Sequence, residues 1–206
     1  MNNITRRTAL KLFSSAPVAA AMAWTPAEAE QAGARTQQAR AQAARKGAAF
    51  KPTFFTAHEY ATVGILANLI IPKDERSGSA TDAGVPEFMD LMMTDEPRRR
   101  TAMRGGLALI DQLCEQRFDN KPFLGCTDAQ RRQLLDDIAF PANAKPGMSH
   151  AVAFFNSFRD LTATGFWTTR MGIDDLQYEG NVFVQEWEGC PDDALKKLGV
   201  SYTDTK

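Results

Sequence analysis

Histidine is nearly missing from this 206-residue chain, which holds two, His58 and His150. Neither stands in a Glu-x-x-His relation, so the di-iron sites that helical bundles build on that spacing are not expected. No His-Glu-x-x-His motif or paired cysteine–histidine cluster occurs, which removes the usual sequence signals of a zinc site. Cysteine is scarce too, with three residues, and without Cys-x-x-Cys-His there is no haem attachment site. No Gly-x-Gly-x-x-Gly follows a strand and no P-loop is present, so a dinucleotide or nucleoside triphosphate cradle is not expected in this chain. An uninterrupted apolar run of about 20 residues, the length a spanning helix needs, is absent, which argues against a stable membrane anchor. The net charge of −1, with no long basic block, gives no reason to expect nucleic acid. Adjacent carboxylates such as Asp136-Asp137 and Asp174-Asp175 read as solvated pairs, so no catalytic residue is assigned.

The amino terminus is more informative. Thr5-Arg6-Arg7-Thr8-Ala9-Leu10-Lys11 sets paired arginines ahead of an uncharged stretch, Leu12 to Trp24, interrupted by Ser14, Ser15 and Pro17. Ala27-Glu28-Ala29 then has the small-x-small spacing of a signal peptidase site. Residues 1–29 therefore read as an export signal. Arg6 and Arg7 point to the twin-arginine route, with Ala9 where that pattern commonly has Phe. The route carries folded proteins, so the expected location is the periplasm. No cysteine lies near the cut site, which argues against a lipid-anchored form.

Residues 30–53 are rich in Gln, Ala and Arg and lack an apolar stripe, so they are expected to be a mobile linker or an arm that orders only on a partner. The folded domain, residues 54–206, is expected to be all-α: a compact bundle of about five helices with an irregular C-terminal tail. Thr56-Ala57-His58-Glu59 is a capping box, and Tyr60, Val63, Leu66, Ala67 and Ile70 follow at helical spacing. Pro86 opens a second helix with Phe88, Leu91 and Met92 on its apolar face. A third carries Met103, Leu107, Ile110, Cys114 and Phe118, with Gly105-Gly106 inside it either weakening the helix or permitting close packing. Thr127-Asp128-Ala129-Gln130 is another capping box, leading into Leu134, Leu135 and Ile138. Val152, Phe155, Phe158, Leu161 and Thr162 mark the last long helix. The dense cluster Phe154, Phe155, Phe158, Phe166 and Trp167 is expected to be core, with an outward-facing Phe154 or Trp167 as an interface anchor the alternative.

Three cysteines allow at most one internal bridge. Cys114 and Cys126 bracket a short turn between two helices and form the candidate disulfide, leaving Cys190 over. Three reduced thiols are the alternative.

Several segments carry a family resemblance: Leu69-Ile70-Ile71-Pro72-Lys73-Asp74, the run Gly78 to Phe88 (GSATDAGVPEF), Phe158-Arg159-Asp160-Leu161-Thr162, Gly165-Phe166-Trp167, Tyr178-Glu179-Gly180-Asn181 and Trp187-Glu188-Gly189-Cys190-Pro191. In that order they resemble the gluconate 2-dehydrogenase subunit 3 family, small subunits that accompany flavin dehydrogenases of the glucose-methanol-choline class. The resemblance implies a non-catalytic partner that carries the export signal for a flavoprotein and helps it mature. FAD then sits in the partner, no cofactor in this chain, and electrons pass to a cytochrome c subunit or another acceptor. Family members often read Tyr-Gly-Gly-Asn where Glu179 intervenes here, which implies a subfamily serving a different sugar or polyol. Phe88, Trp167, Tyr178, Asn181, Trp187 and Cys190 are the candidate partner interface. A stand-alone exported binding protein, holding a sugar or apolar ligand in an aromatic-lined cleft, is the alternative reading.

Overall fold

The computed structural model describes residues 26–45, 50–140, 146–178, 185 and 189–202. Among these residues the regular structure is helical and no strand occurs. The chain divides into two units, residues 1–176 and 177–206.

In the first unit, helix α1 spans Pro26–Arg45, α2 Ala57–Ile70 and α3 the single turn Ala80–Ala83. Helices α4 (Val85–Asp95), α5 (Arg100–Arg117), α6 (Asp128–Ala139) and α7 (Ser149–Trp167) follow, and α8 (Arg170–Asp175) closes the unit. Helices α2, α4 and α6 begin or end at caps written in the sequence. Thr56 accepts the Glu59 N–H while the Glu59 carboxylate accepts the Thr56 N–H, and Thr127 and Gln130 repeat the arrangement on α6. Each box satisfies two backbone donors that a helix start otherwise leaves unpaired. Arg100 closes α4 from the next helix, donating to the carbonyls of Met93 (2.6 Å) and Thr94 (2.7 Å).

Helix α4 packs against α1, α2, α3 and α7, and α7 in turn reaches every other helix of the unit. Val85, Phe88, Met89, Met92 and Met93 are all buried on it, the pattern of a helix apolar over most of its circumference. Burial of a Phe or Met side chain stabilises by roughly 1.5–3 kcal/mol. Two glycines let neighbours come close. The Phe154 ring lies where a Cβ on Gly106 would stand, and the Phe88 ring does the same at Gly165. The glycine pair in α5 therefore serves packing, at the α5–α7 crossing.

Asp90 is buried on α4, with 1% of its surface exposed. Its carboxylate accepts the backbone N–H groups of Thr53 (2.8 Å), Phe54 (2.9 Å) and Phe55 (2.9 Å). A carboxylate taken out of water is tolerated when its lone pairs are filled by hydrogen bonds, and here three peptide dipoles do so. The loop is thereby fixed so that Phe54 and Phe55 enter the core edge to face, their centroids 4.9 Å apart. Arg104 stacks over Phe54 at 4.5 Å and donates to its carbonyl at 2.8 Å.

The expectation for residues 30–53 needs correction. Residues 26–45 form α1, and Ala29, Ala32, Gly33 and Thr36 make a buried face at helical spacing. These side chains are small, which is why no stripe of large apolar residues marks the segment. Their size suits close approach: a Cβ on Gly33 would stand 3.2 Å from Thr168 Oγ1. Ion pairs Arg35–Asp95 (2.5 Å) and Arg40–Glu87 (3.6 Å) tie α1 to α4.

In the second unit, α9 covers Asp192–Leu198 and stops at Gly199, whose φ of +67° is the left-handed conformation of a helix end. Its tail is thus partly helical. The Cys190 N–H donates to Tyr202 Oη at 2.6 Å.

Replacing Asp90 by Ala is expected to destabilise the protein by about 3 kcal/mol, since three backbone donors lose a charged acceptor. Thermal or urea denaturation measures this, and an unshifted midpoint would contradict the role given to Asp90.

Candidate functional site

Several groups that could carry chemistry are engaged within the fold. His58 Nε2 lies 2.6 Å from Asp111 Oδ2, and Asp111 Oδ1 accepts the Phe123 N–H at 2.9 Å. This links α2 to α5 and to the 3-10 turn Phe123–Gly125. Arg131 reaches the same turn, donating to the carbonyls of Phe123 (3.0 Å) and Leu124 (2.9 Å). Among the described residues, no group of three or more His, Cys, Asp or Glu side chains is placed to hold a metal ion.

Cys114 on α5 and Cys126 just before α6 are both buried and both thiols in this structure. They lie together: burial pushes the Cys114 thiol well above the usual range, and the neighbouring, hydrogen-bonded Cys126 adds to the effect. Cys190 is exposed.

Among the candidate partner residues, Phe88 requires correction. With 1% of its surface exposed, it is a core residue under Gly165, on the apolar face expected of α4, and so is not open to a partner. Phe154, 2% exposed against Gly106, does not face outwards either. Trp167 does, at 40% exposure, edge-on to Phe166. Tyr178 is exposed as well. Asn181 and Trp187 lie outside the described residues, as do Arg6 and Arg7. Ala27 and Ala29 fall in the first turn of α1, Ala27 exposed and Ala29 on the docked face with 3% exposure.

The run Gly78 to Phe88 is a folding cassette. Ser79 accepts the Asp82 N–H, and Asp82 accepts the Ser79 N–H at 2.9 Å, giving α3 its own capping box. These bonds hold the Asp82 carboxyl below the usual carboxylate range. Gly84, at φ +88°, ends α3 and starts α4 in one residue, a backbone position favouring glycine.

An open groove of about 260 Å³ lies between α2, α6 and α7. Leu69, Ile70, Leu135 and Phe155 supply its apolar walls. Phe140 stands at its edge with 60% of its surface exposed, and Arg132, Asp136 and Arg159 complete the lining. Its volume falls below the roughly 300–1,000 Å³ of small-molecule sites, which suits one large side chain. The groove is invisible to periodicity because three separate helices build it. The signals available were a Phe just before Pro141, past the last turn of α6, and the unused Arg132.

The sequence matches the gluconate 2-dehydrogenase subunit 3 family over residues 57–185. The chain belongs to that family. The match begins at the first residue of α2, so the family's shared part contains the α2–α8 bundle and leaves α1 outside. Membership in the gluconate 2-dehydrogenase subunit 3 family marks this chain as an accessory subunit of a dehydrogenase complex. No curated protein and no solved structure matches it significantly. No described helix is long and apolar enough to cross a membrane.

Proposed function

We propose that this chain is a non-catalytic small subunit that binds an FAD-dependent sugar or polyol dehydrogenase of the glucose-methanol-choline class, helps it mature, and exports it to the periplasm. The observation that carries the reading is the conjunction of family membership over residues 57–185 with Arg6-Arg7 in a twin-arginine pattern ahead of it. A signal read only on folded proteins, placed on an accessory subunit, is suited to moving a folded pair. The flavin sits in the larger partner, and a cytochrome c subunit or another acceptor takes its electrons. Trp167, Tyr178, Asn181, Trp187 and Cys190 are retained as candidate partner-contact residues.

Cleavage after Ala29 requires the first turn of α1 to come away from the bundle, because Ala29 lies on its docked face. Export and processing thus bear on the same helix that ties to α4 through Arg35 and Arg40.

Changing Arg6 and Arg7 together to Lys is expected to leave both this chain and the dehydrogenase in the cytoplasm, read by subunit immunoblots and by dehydrogenase activity in the periplasmic fraction. Normal export of the dehydrogenase by the doubly substituted chain would sink the co-export reading.

In the periplasm the adjacent Cys114 and Cys126 thiols form a disulfide, leaving Cys190 over. Together they give two electrons and two protons to a thiol–disulfide oxidoreductase, whose own disulfide becomes a dithiol. Peptide mapping of the exported protein without reductant should find a 114–126 link. Alkylation of both thiols in the unfolded protein, or a link from Cys114 to Cys190, would contradict the pairing.

A further inference from the structure

We infer that the groove between α2, α6 and α7 is where the dehydrogenase's catalytic subunit docks, inserting a large apolar side chain with a carboxylate beside it. The inference rests on the proposal that this chain acts as that enzyme's small subunit, and it names the surface used. The first argument is apolar area. Phe140 leaves most of its ring in solvent directly beside a slot walled by Leu69, Ile70, Leu135 and Phe155. A single exposed aromatic is unremarkable, but one continuous with an apolar slot marks a contact surface.

Charge gives the second argument. The lining carries two guanidinium groups, Arg132 and Arg159, and one carboxylate, Asp136. Arg159 lies 3.7 Å from Asp160, its own neighbour in the chain, a pair of which both members are largely exposed. Such a pair contributes little and exchanges readily for a better placed carboxylate. An aromatic anchor ringed by arginine is the composition enriched at the centres of protein interfaces. A partner segment bearing an apolar residue next to Asp or Glu complements both features.

Rigidity is the third. The walls come from three helices whose inner faces are buried in the core, so the slot exists before the partner arrives and little ordering is needed on binding. Two of the segments on which the family resemblance rests also reach it: the Leu69–Asp74 run supplies Leu69 and Ile70, and the Phe158–Thr162 run supplies Arg159.

The test uses the full chain and the catalytic subunit of its dehydrogenase, with affinity measured for the wild type, Phe140→Asp, and the double variant Arg132→Glu/Arg159→Glu. All three positions are exposed, so thermal midpoints should match the wild type. Each variant is expected to weaken binding roughly tenfold or more, the effect of removing an interface anchor. Wild-type binding should also weaken between low and high salt, with the double variant losing most of that dependence. If the wild type binds and both variants bind equally well, the groove is not the docking site, while the subunit proposal stands. If the wild type itself fails to bind, both fall. Should Phe140→Asp instead dissociate a dimer of this chain alone, the groove is a contact between copies and the inference is overturned.

Discussion

The fold depends on the two acidic residues that α4 carries into its interior, one turn apart. Asp90 holds the backbone of residues 53–55 and so sets where α2 begins. Glu87 accepts the Tyr60 hydroxyl, and burial together with this carboxylate drives the Tyr60 phenol far above its usual range. The same carboxylate pairs with Arg40 of α1. One helix thus fixes the entry loop, the first core helix and the amino-terminal arm by charge-assisted bonds. Such bonds are strong where water is excluded and costly to leave half-made. Apolar packing supplies the bulk of the stability, and these two carboxylates add directional bonds between the elements it brings together.

Small residues do the complementary work. Where Gly106 and Gly165 meet aromatic rings, helices approach more closely than side chains on both sides would allow. The face of α1 is the same idea extended along a helix, with Ala and Gly lying against α4 and α7. A helix held by small residues and two ion pairs, Arg35–Asp95 exposed and Arg40–Glu87 partly buried, gains less from burial than one held by Leu and Phe. That leaves α1 more easily detached than the helices held by Leu and Phe, as the proposed cleavage after Ala29 requires.

How much of this was legible in the sequence follows from the kind of signal. The capping boxes at Thr56 and Thr127 and the stripes of α2, α5 and α7 were read correctly, because caps and periodicity are local. The helix from Pro26 to Arg45 was missed because its buried stripe is made of residues that hydropathy hardly distinguishes from a polar face. Phe88 and Phe154 were candidates for outward-facing anchors and lie inside, since the residues that cover them come from other helices. Nothing in the local sequence marks Asp90, because its role depends on a loop 35 to 37 residues earlier. The groove beside Phe140 was out of reach for the same reason: its walls are distant in sequence.

The functional account joins an accessory-subunit family, a twin-arginine pattern in the sequence and a bundle in which several charged groups hold its own helices together. Its central claim is that the dehydrogenase depends on this chain. The most direct measurement is the flavin content and turnover of the catalytic subunit in the periplasmic fraction, produced with and without this chain. The account predicts that without it the catalytic subunit is absent from that fraction or arrives without flavin. An exported, flavin-loaded and fully active catalytic subunit in the absence of this chain would contradict it.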